Sequence, residues 1–436
     1  MKSGAYKLTG HILWRDKYHH VGSTQARCEQ GNPLDNFSAW KESSQLSVPG
    51  IHDTWSHQVH TSFGLPAAPQ WRSEPVYVEH GCLTTTPKLN NHTVLDGWVL
   101  PGLVDVHSHI GLVAEGVATP EVTIRQAQKD AASGVLLVRD CGSPGDTRFV
   151  DEHFNVARIL RCGHHLARPK RYIRNYGREL ESDSFLPEAM VEEARAGSGW
   201  VKLVGDWIDR SEGADSTLRP LWSRQALADG ISAVHEIGGR VTVHSFSHEA
   251  IDDLLDAGID CIEHGTGLDD DHMSEIIARS IPVTPTVLQV DRFNDFADAA
   301  GTKYPVYASD MRRMFEQRYE HFARAWDAGV HFLPGTDAGG YQKHGVMPSE
   351  LQAWLRFGAT PADVIDCATW KARDYLGQPV LEEGAPADLV VYPDNPTASP
   401  CEDNPLGGLS VLSHPLFIVR GGISITPQVT QHEVED

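Results

Sequence analysis

The sequence predicts an α/β fold: a (β/α)8 TIM-like barrel with a small β-sandwich domain formed by both chain ends. Three observations predict it. Between about residues 98 and 378, short apolar runs alternate eight times with stretches of helical period. Strands alternating with helices in this way make a parallel sheet, and eight of them imply a closed barrel. Strand-like segments near both ends of the chain are too short to bury a core alone, so they are expected to pack on one another. Polar residues recur just past the ends of the apolar runs, the end of a barrel where chemistry sits.

The expected division is an N-terminal part of the sandwich at 1–97, the barrel at 98–378 and the C-terminal part of the sandwich at 379–436. Residues 5–13 alternate loosely and read as a strand. A stretch at about 14–73 is rich in His, Gln, Ser, Asn and Trp and carries little apolar period. It reads as an irregular insertion, or as a lid over the site, and its histidines have no metal-like context. Residues 75–79 alternate and end at the turn His80-Gly81, and 93–100 lead into the barrel. The first barrel strand is 103–106, bounded by Pro101-Gly102. Thr119 as N-cap and Pro120 at the first helical position then open a helix to Ser133-Gly134. The remaining pairs are strand 135–138 with helix 148–160, 170–173 with 187–196, 200–204 with 224–237, 240–243 with 248–257, 259–262 with 270–279, 281–284 with a long helical region to 328, and 330–333 with helices from 349 and 361. Residues 388–392 and 416–419 return as strands of the sandwich.

At 436 residues the chain has ample length to bury a core, and 40% hydrophobic with 22% charged residues fits a soluble globular protein. A formal charge of -22 argues against nucleic acid or an anionic membrane as partner. No apolar run is long enough to span a bilayer, and the N-terminal residues lack the apolar core of a signal peptide. Seven scattered cysteines, none in Cys-x-x-Cys, lead to an expectation of reduced thiols and a cytoplasmic protein. A small-molecule substrate and a homo-oligomeric assembly are expected.

The chemistry is read from the strand ends. His107 and His109 follow strand one, Lys202 lies in strand four, His244 follows strand five, His264 strand six and Asp337 strand eight. All six would face one mouth. Each also has a bland reading: a satisfied core histidine, or a loop cap for Asp337. Lys202 is the anomaly, because an unpaired lysine is rarely buried inside an apolar strand. Two imidazoles one residue apart supply two neutral nitrogen ligands to a divalent metal.

The segments PGLVDVHSH, GVLLVRDCG, WVKLVGD, VTVHSFS, DCIEHGTG, PGTDAGG and GAPADLVVY, in this order over about residues 76–423, resemble the amidohydrolase superfamily of metal-dependent hydrolases. The branch resembled contains imidazolonepropionase-like proteins, Xaa-Pro dipeptidases and ochratoxin-type amidases. The resemblance implies a binuclear centre of two divalent ions, with His107, His109 and Asp337 on one metal and His244 and His264 on the other. Lys202, N-carboxylated by CO2, would bridge them. Carboxylation turns an ammonium that would repel metal into an anionic ligand with two oxygens. Zn2+ suits this donor set best. A metal-bridging hydroxide would attack the scissile carbonyl, and Asp337, with His264 beside it, would serve catalysis by taking the proton and passing it to the leaving amine.

A mononuclear deaminase or cyclic-amide ring hydrolase of the same superfamily is the alternative. It needs an acid three residues after the strand-five histidine, where this chain has Ser247. A non-catalytic scaffold is a third reading, opposed by the retention of all six residues. Substrate contacts are expected from the loops after the strands, chiefly Tyr172, Arg174 and His344, with Tyr176, Arg210 and Gln289. Arginines and tyrosines there would hold a substrate carboxylate, as a dipeptide or N-acyl amino acid presents.

Overall fold

The computed structural model describes residues 4–16 and 67–425. Strands from both chain ends share one eight-stranded mixed sheet, ordered Ile423–Ser424, Phe417–Arg420, Leu389–Tyr392, Thr93–Pro101, Tyr6–Trp14, Val76–Glu79, Cys82–Thr84, with Gln70–Arg72 paired to the far end of Tyr6–Trp14. In place of the expected sandwich, both chain ends contribute to a single sheet. Strand alternation explains what it packs on. Val99, Leu389, Val391 and Val419 enter a small core with Leu8, Ile12 and Val78. Their neighbours Leu100, Val390, Tyr392 and Ile418 enter the large core of the barrel. The sheet is therefore buried on both faces along these strands, which is why they read as continuous apolar runs.

The irregular stretch expected at 14–73 is ordered at both margins. Trp14 ends a strand, and Arg15 makes a bidentate pair with Asp374 at 2.8 and 2.6 Å. Gln70–Arg72 pairs with Ile12 to Trp14. The rest of that stretch, with its lid reading, lies outside the described residues. Cys141, Cys162, Cys261, Cys367 and Cys401 are free, whereas Cys82 is disulfide-bonded, so the thiols are not all reduced as expected. Among the described residues, no helix is long and apolar enough to cross a membrane.

The barrel-like body is a TIM-type α/β arrangement of parallel strands. Leu103–Val113 pairs in parallel with Val135–Asp140, and that strand with Arg158–Arg161. Trp200–Val204, Arg240–Ser245, Cys261–His264 and Val283–Thr284 follow in parallel register. The third strand is not at 170–173. It is Arg158–Arg161, continued by Leu166–Ala167, whose Leu166 pairs with Leu203. The expected helix at 148–160 shrinks to a 3-10 turn, Arg148–Glu152. Arg-Ile-Leu-Arg is too short to impose a period of two, so the apolar spacing around it mimicked a helix. Lys170 takes φ 62° and Asn175 φ 65°, left-handed conformations that no strand accommodates.

The eighth strand closes the ring in two steps. Phe332 bridges Val283 in parallel, and after Pro334 the chain crosses to the first strand, where Ala338–Gly340 pairs with Ser108 and Val113. The helices begin where their caps place them: Thr119 accepts from Val122 N, Ser223 from Ala226 N and Asp269 from His272 N.

In the sheet, Gly10 and Gly97 oppose each other in the parallel pair of Tyr6–Trp14 and Thr93–Pro101. Gly10 has φ 94°, and a Cβ there would meet the Gly97 carbonyl oxygen. Gly10→Ala should cost about 1–3 kcal/mol, read as a lower urea midpoint. An unchanged midpoint would show that this crossing tolerates a side chain.

Candidate metal centre

Three strand ends are built on left-handed backbone. His264 has φ 67°, Thr286 φ 44° and Asp337 φ 53°. None is glycine, so each costs on the order of 1–3 kcal/mol and persists only where its surroundings fix it. Here they do. Asp337 N donates to His107 O at 2.7 Å, and Gly265 N to Glu263 O at 2.8 Å. Asp105 staples the eighth strand to the first: its Oδ1 accepts from His107 N and Thr336 N, both at 3.1 Å, and its Oδ2 from Thr336 Oγ1 at 2.6 Å. Burial, helped by the charge of Asp130, pushes the Asp105 carboxyl up to about 7. The chain stops abruptly at each of these strand ends and turns His264 and Asp337 into the mouth.

The six residues expected to meet do meet. Asp337 Oδ1 lies 3.0 Å from His107 Nε2 and 3.2 Å from His109 Nε2. Lys202 Nζ is 3.4 Å from His107 Nε2. His244 Nδ1 is 3.0 Å from His264 Nε2. Nitrogen and oxygen atoms of His107, His264 and Asp337 fall within 4.8 Å of one another. All six side chains are buried or nearly so. Burial, the largest influence, holds the His244 and His264 imidazoles well below their ordinary pKa, so both are neutral and keep a lone pair for a ligand. For Asp337, burial works the other way, but the His107 charge and hydrogen bonds from His107 and His109 hold it well below the carboxylate range.

The donor set fits divalent metal ions. His244 Nε2 is buried and has no hydrogen-bond partner, an arrangement that costs free energy unless something outside the protein satisfies it. Lys202 is 2% exposed, and among the described residues no carboxylate makes a salt bridge with it. Imidazole nitrogens and an anionic carboxylate, gathered with a buried lysine, make a nitrogen–oxygen set suited to a divalent metal ion.

Beneath the ligands runs a buried polar chain. Arg139 donates from Nε to Val106 O at 2.7 Å and pairs with Glu263 Oε1 at 2.5 Å, with its guanidinium 4.6 Å from the Trp200 ring centre. Glu263 also accepts from Thr242 Oγ1. Its Oε2 lies 2.8 Å from His107 Nδ1, an ion-pair contact out of line for a hydrogen bond. Thr286 Oγ1 is 2.7 Å from His264 Nδ1, and Gly142 O is 2.8 Å from His109 Nδ1. Such partners orient ligating imidazoles. Arg139 and Glu263 carried the same signal in the sequence as Lys202, a charge inside an apolar strand, and could have been singled out on that ground.

The expected substrate residues divide. Tyr172, Tyr176 and Gln289 line the cavity that opens onto His109, His244 and Asp337. Burial pushes both tyrosine phenols up, so they stay neutral. Arg174 is exposed and outside the lining, as is Arg210, which reaches back to Lys170 O at 3.4 Å. His344 is buried against Asp130, its Nδ1 2.8 Å from Asp130 Oδ2, and does not reach the cavity. The positive φ values at Lys170 and Asn175 turn the loop after the third strand, so Tyr172 faces in while Arg174 faces solvent. Trp207, Phe246, Phe296 and Tyr341, not expected from the sequence, complete the wall.

Residues 98–410 match the amidohydrolase family. The chain therefore belongs to that family and is a hydrolase acting on carbon–nitrogen bonds. An uncharacterized protein of Mycobacterium tuberculosis is 46% identical over 348 residues, covering 79% of this chain and 90% of that relative. Among solved structures, a Xaa-Pro dipeptidase with bound methionine superposes with TM-score 0.68 at 21% identity, covering 81% of this chain and 95% of the other. The ochratoxinase of A. niger does so with TM-score 0.68 at 17% identity, covering 83% and 93%. At these identities the likeness is one of fold.

Removing one partner of the buried Arg139–Glu263 pair should be costly. Arg139→Met should lose about 3–5 kcal/mol in chemical denaturation, because Glu263 keeps a buried charge without its partner. Glu263→Gln, which retains shape, should fold and bind metal roughly 10–100-fold more weakly in a chelator competition. Unaltered metal affinity in that variant would show that Glu263 does not orient His107.

Proposed function

We propose that this chain is a binuclear metal-dependent amidohydrolase that cleaves an amide C–N bond of a small molecule. His107, His109 and Asp337 would hold one divalent ion, zinc being the best match, and His244 and His264 the second, with N-carboxylated Lys202 shared between them. The observation that carries the reading is the convergence of these six side chains, from five different strands, on one buried mouth with a lysine among them. When bound, the metals supply a water-derived nucleophile near neutral pH and polarise the scissile carbonyl.

The protein's own groups handle the proton. The Asp337 carboxylate, kept ionised by His107 and His109, takes a proton from the attacking water and returns it to the leaving nitrogen. Water oxygen joins the carbonyl carbon as the C–N bond breaks, giving a carboxylic acid and an amine. His264, held through Nδ1 by Thr286, sits against the same reacting region. The residue three past His244, where a mononuclear deaminase would need an acid, is Ser247, whose N and Oγ both donate to Asp206 Oδ2 at 2.9 and 3.2 Å. The Xaa-Pro dipeptidase that shares the fold is named for acting on a dipeptide, which supports an amide as substrate. The carboxylate preference expected from the sequence rested on arginines and tyrosines of these loops; Arg174 and Arg210 lie outside the cavity lining, whereas Tyr172 and Tyr176 belong to it.

Lys202→Ala should lose metal as well as activity, with metal per chain falling from about two. A short carboxylic acid added to Lys202→Ala should restore part of both. Lys202→Arg should not be rescued, since its guanidinium fills the space and stays charged. Mass spectrometry under CO2 should find Lys202 heavier by one carboxyl group. An unmodified lysine in metal-replete protein, or full activity in Lys202→Ala, would sink the binuclear mechanism.

A further inference from the structure

The cavity beside the centre is walled by rings. Tyr172 stands edge-on to Trp207, centroids 4.8 Å apart at 68°, and Trp207 leans on Phe246 at 6.2 Å. Tyr176 and Tyr341 face each other at 6.4 Å nearer the surface, where Tyr341 is 54% exposed. Among the described residues, no lysine or arginine lines this space. Arg292 reaches Tyr341 from outside the lining, its Nη1 donating to Tyr341 O at 2.7 Å and its Nε to Asp295 Oδ2 at 3.3 Å. Two donors in the wall are buried and without partner: the Tyr176 hydroxyl and Trp207 Nε1. A buried donor without an acceptor is costly, and both of these are neutral.

We propose that this cavity binds the neutral aromatic flank of the substrate, an amide carrying an aryl group and a hydrogen-bond acceptor that Tyr176 and Trp207 meet, and that it rejects a free carboxylate there. The proposal rests on the hydrolase reading only for where the scissile bond lies. Aromatic walls of fixed geometry favour a flat ring edge-on or offset. A carboxylate held among these rings, away from the metal centre, would give up its hydration with no lysine or arginine among the described lining residues to compensate.

Isothermal titration of the metal-loaded protein with acetanilide and with 4-acetamidobenzoate tests this, since the two differ by one carboxylate. Acetanilide should bind at least 10-fold more tightly. Trp207→Leu should weaken acetanilide about 10-fold while retaining its metal, and Gln289→Arg, which places a cation in the lining, should shift the ratio at least 10-fold toward the carboxylate. Equal or tighter binding of 4-acetamidobenzoate to the native protein, or a ratio unmoved by Gln289→Arg, would overturn the proposal. If acetanilide binds selectively while no amide of any class is cleaved, the binding proposal stands and the hydrolase reading fails.

Discussion

A guanidinium buried among four strands underlies the site. Arg139 belongs to the second barrel strand, accepts no exposure to water, and binds the first strand through Val106 O and the sixth through Glu263. Trp200 of the fourth strand covers it, and Thr242 of the fifth shares its carboxylate. Burying such a pair does little for stability compared with an apolar core, and losing half of it is expensive. What the pair provides is placement. Glu263 Oε2 stands at His107 Nδ1, so the orientation of His107 at the mouth depends on a charge pair anchored in the second and sixth strands.

The mouth itself depends on strained backbone at His264, Thr286 and Asp337. Left-handed conformations at non-glycine residues cost free energy, and the barrel meets that cost with backbone and carboxylate bonds concentrated at the seam between the first and eighth strands. The core beneath is large and continuous, so local strain at three positions is affordable. The arrangement also explains why the last strand is interrupted at Pro334: its first half closes on Val283 and its second half on the first strand, with Asp337 at the bend.

Specificity follows a different logic. The loop after the third strand turns on Lys170 and Asn175, and that turn decides that Tyr172 enters the cavity and Arg174 leaves it. Trp207 and Phe246 come from segments past the fourth and fifth strands that look like ordinary core in the sequence. Asp206 fixes the second of these, accepting from Phe246 N and Ser247 N, each at 2.9 Å. The cavity is thereby aromatic and free of lysine and arginine along its described wall, although the loops that form it are rich in arginine.

By itself, the sequence determined the alternation of strands and helices, the meeting of both chain ends and the six residues at the mouth. Period, caps and charges misplaced in apolar strands are local signals, and parallel strands in a barrel bring the same end of each strand to the same place. The third strand escaped notice because Arg-Ile-Leu-Arg carries too few residues to declare its period. The substrate wall escaped for a deeper reason. Whether a loop side chain faces a cavity or solvent depends on one or two backbone angles, such as φ at Lys170 and Asn175, and on what packs behind it. His344 shows the same limit: seven residues past Asp337 in sequence, it is claimed by Asp130 from the first barrel helix. Only the tertiary structure decided those partners, because they are set by contacts between segments far apart in the chain.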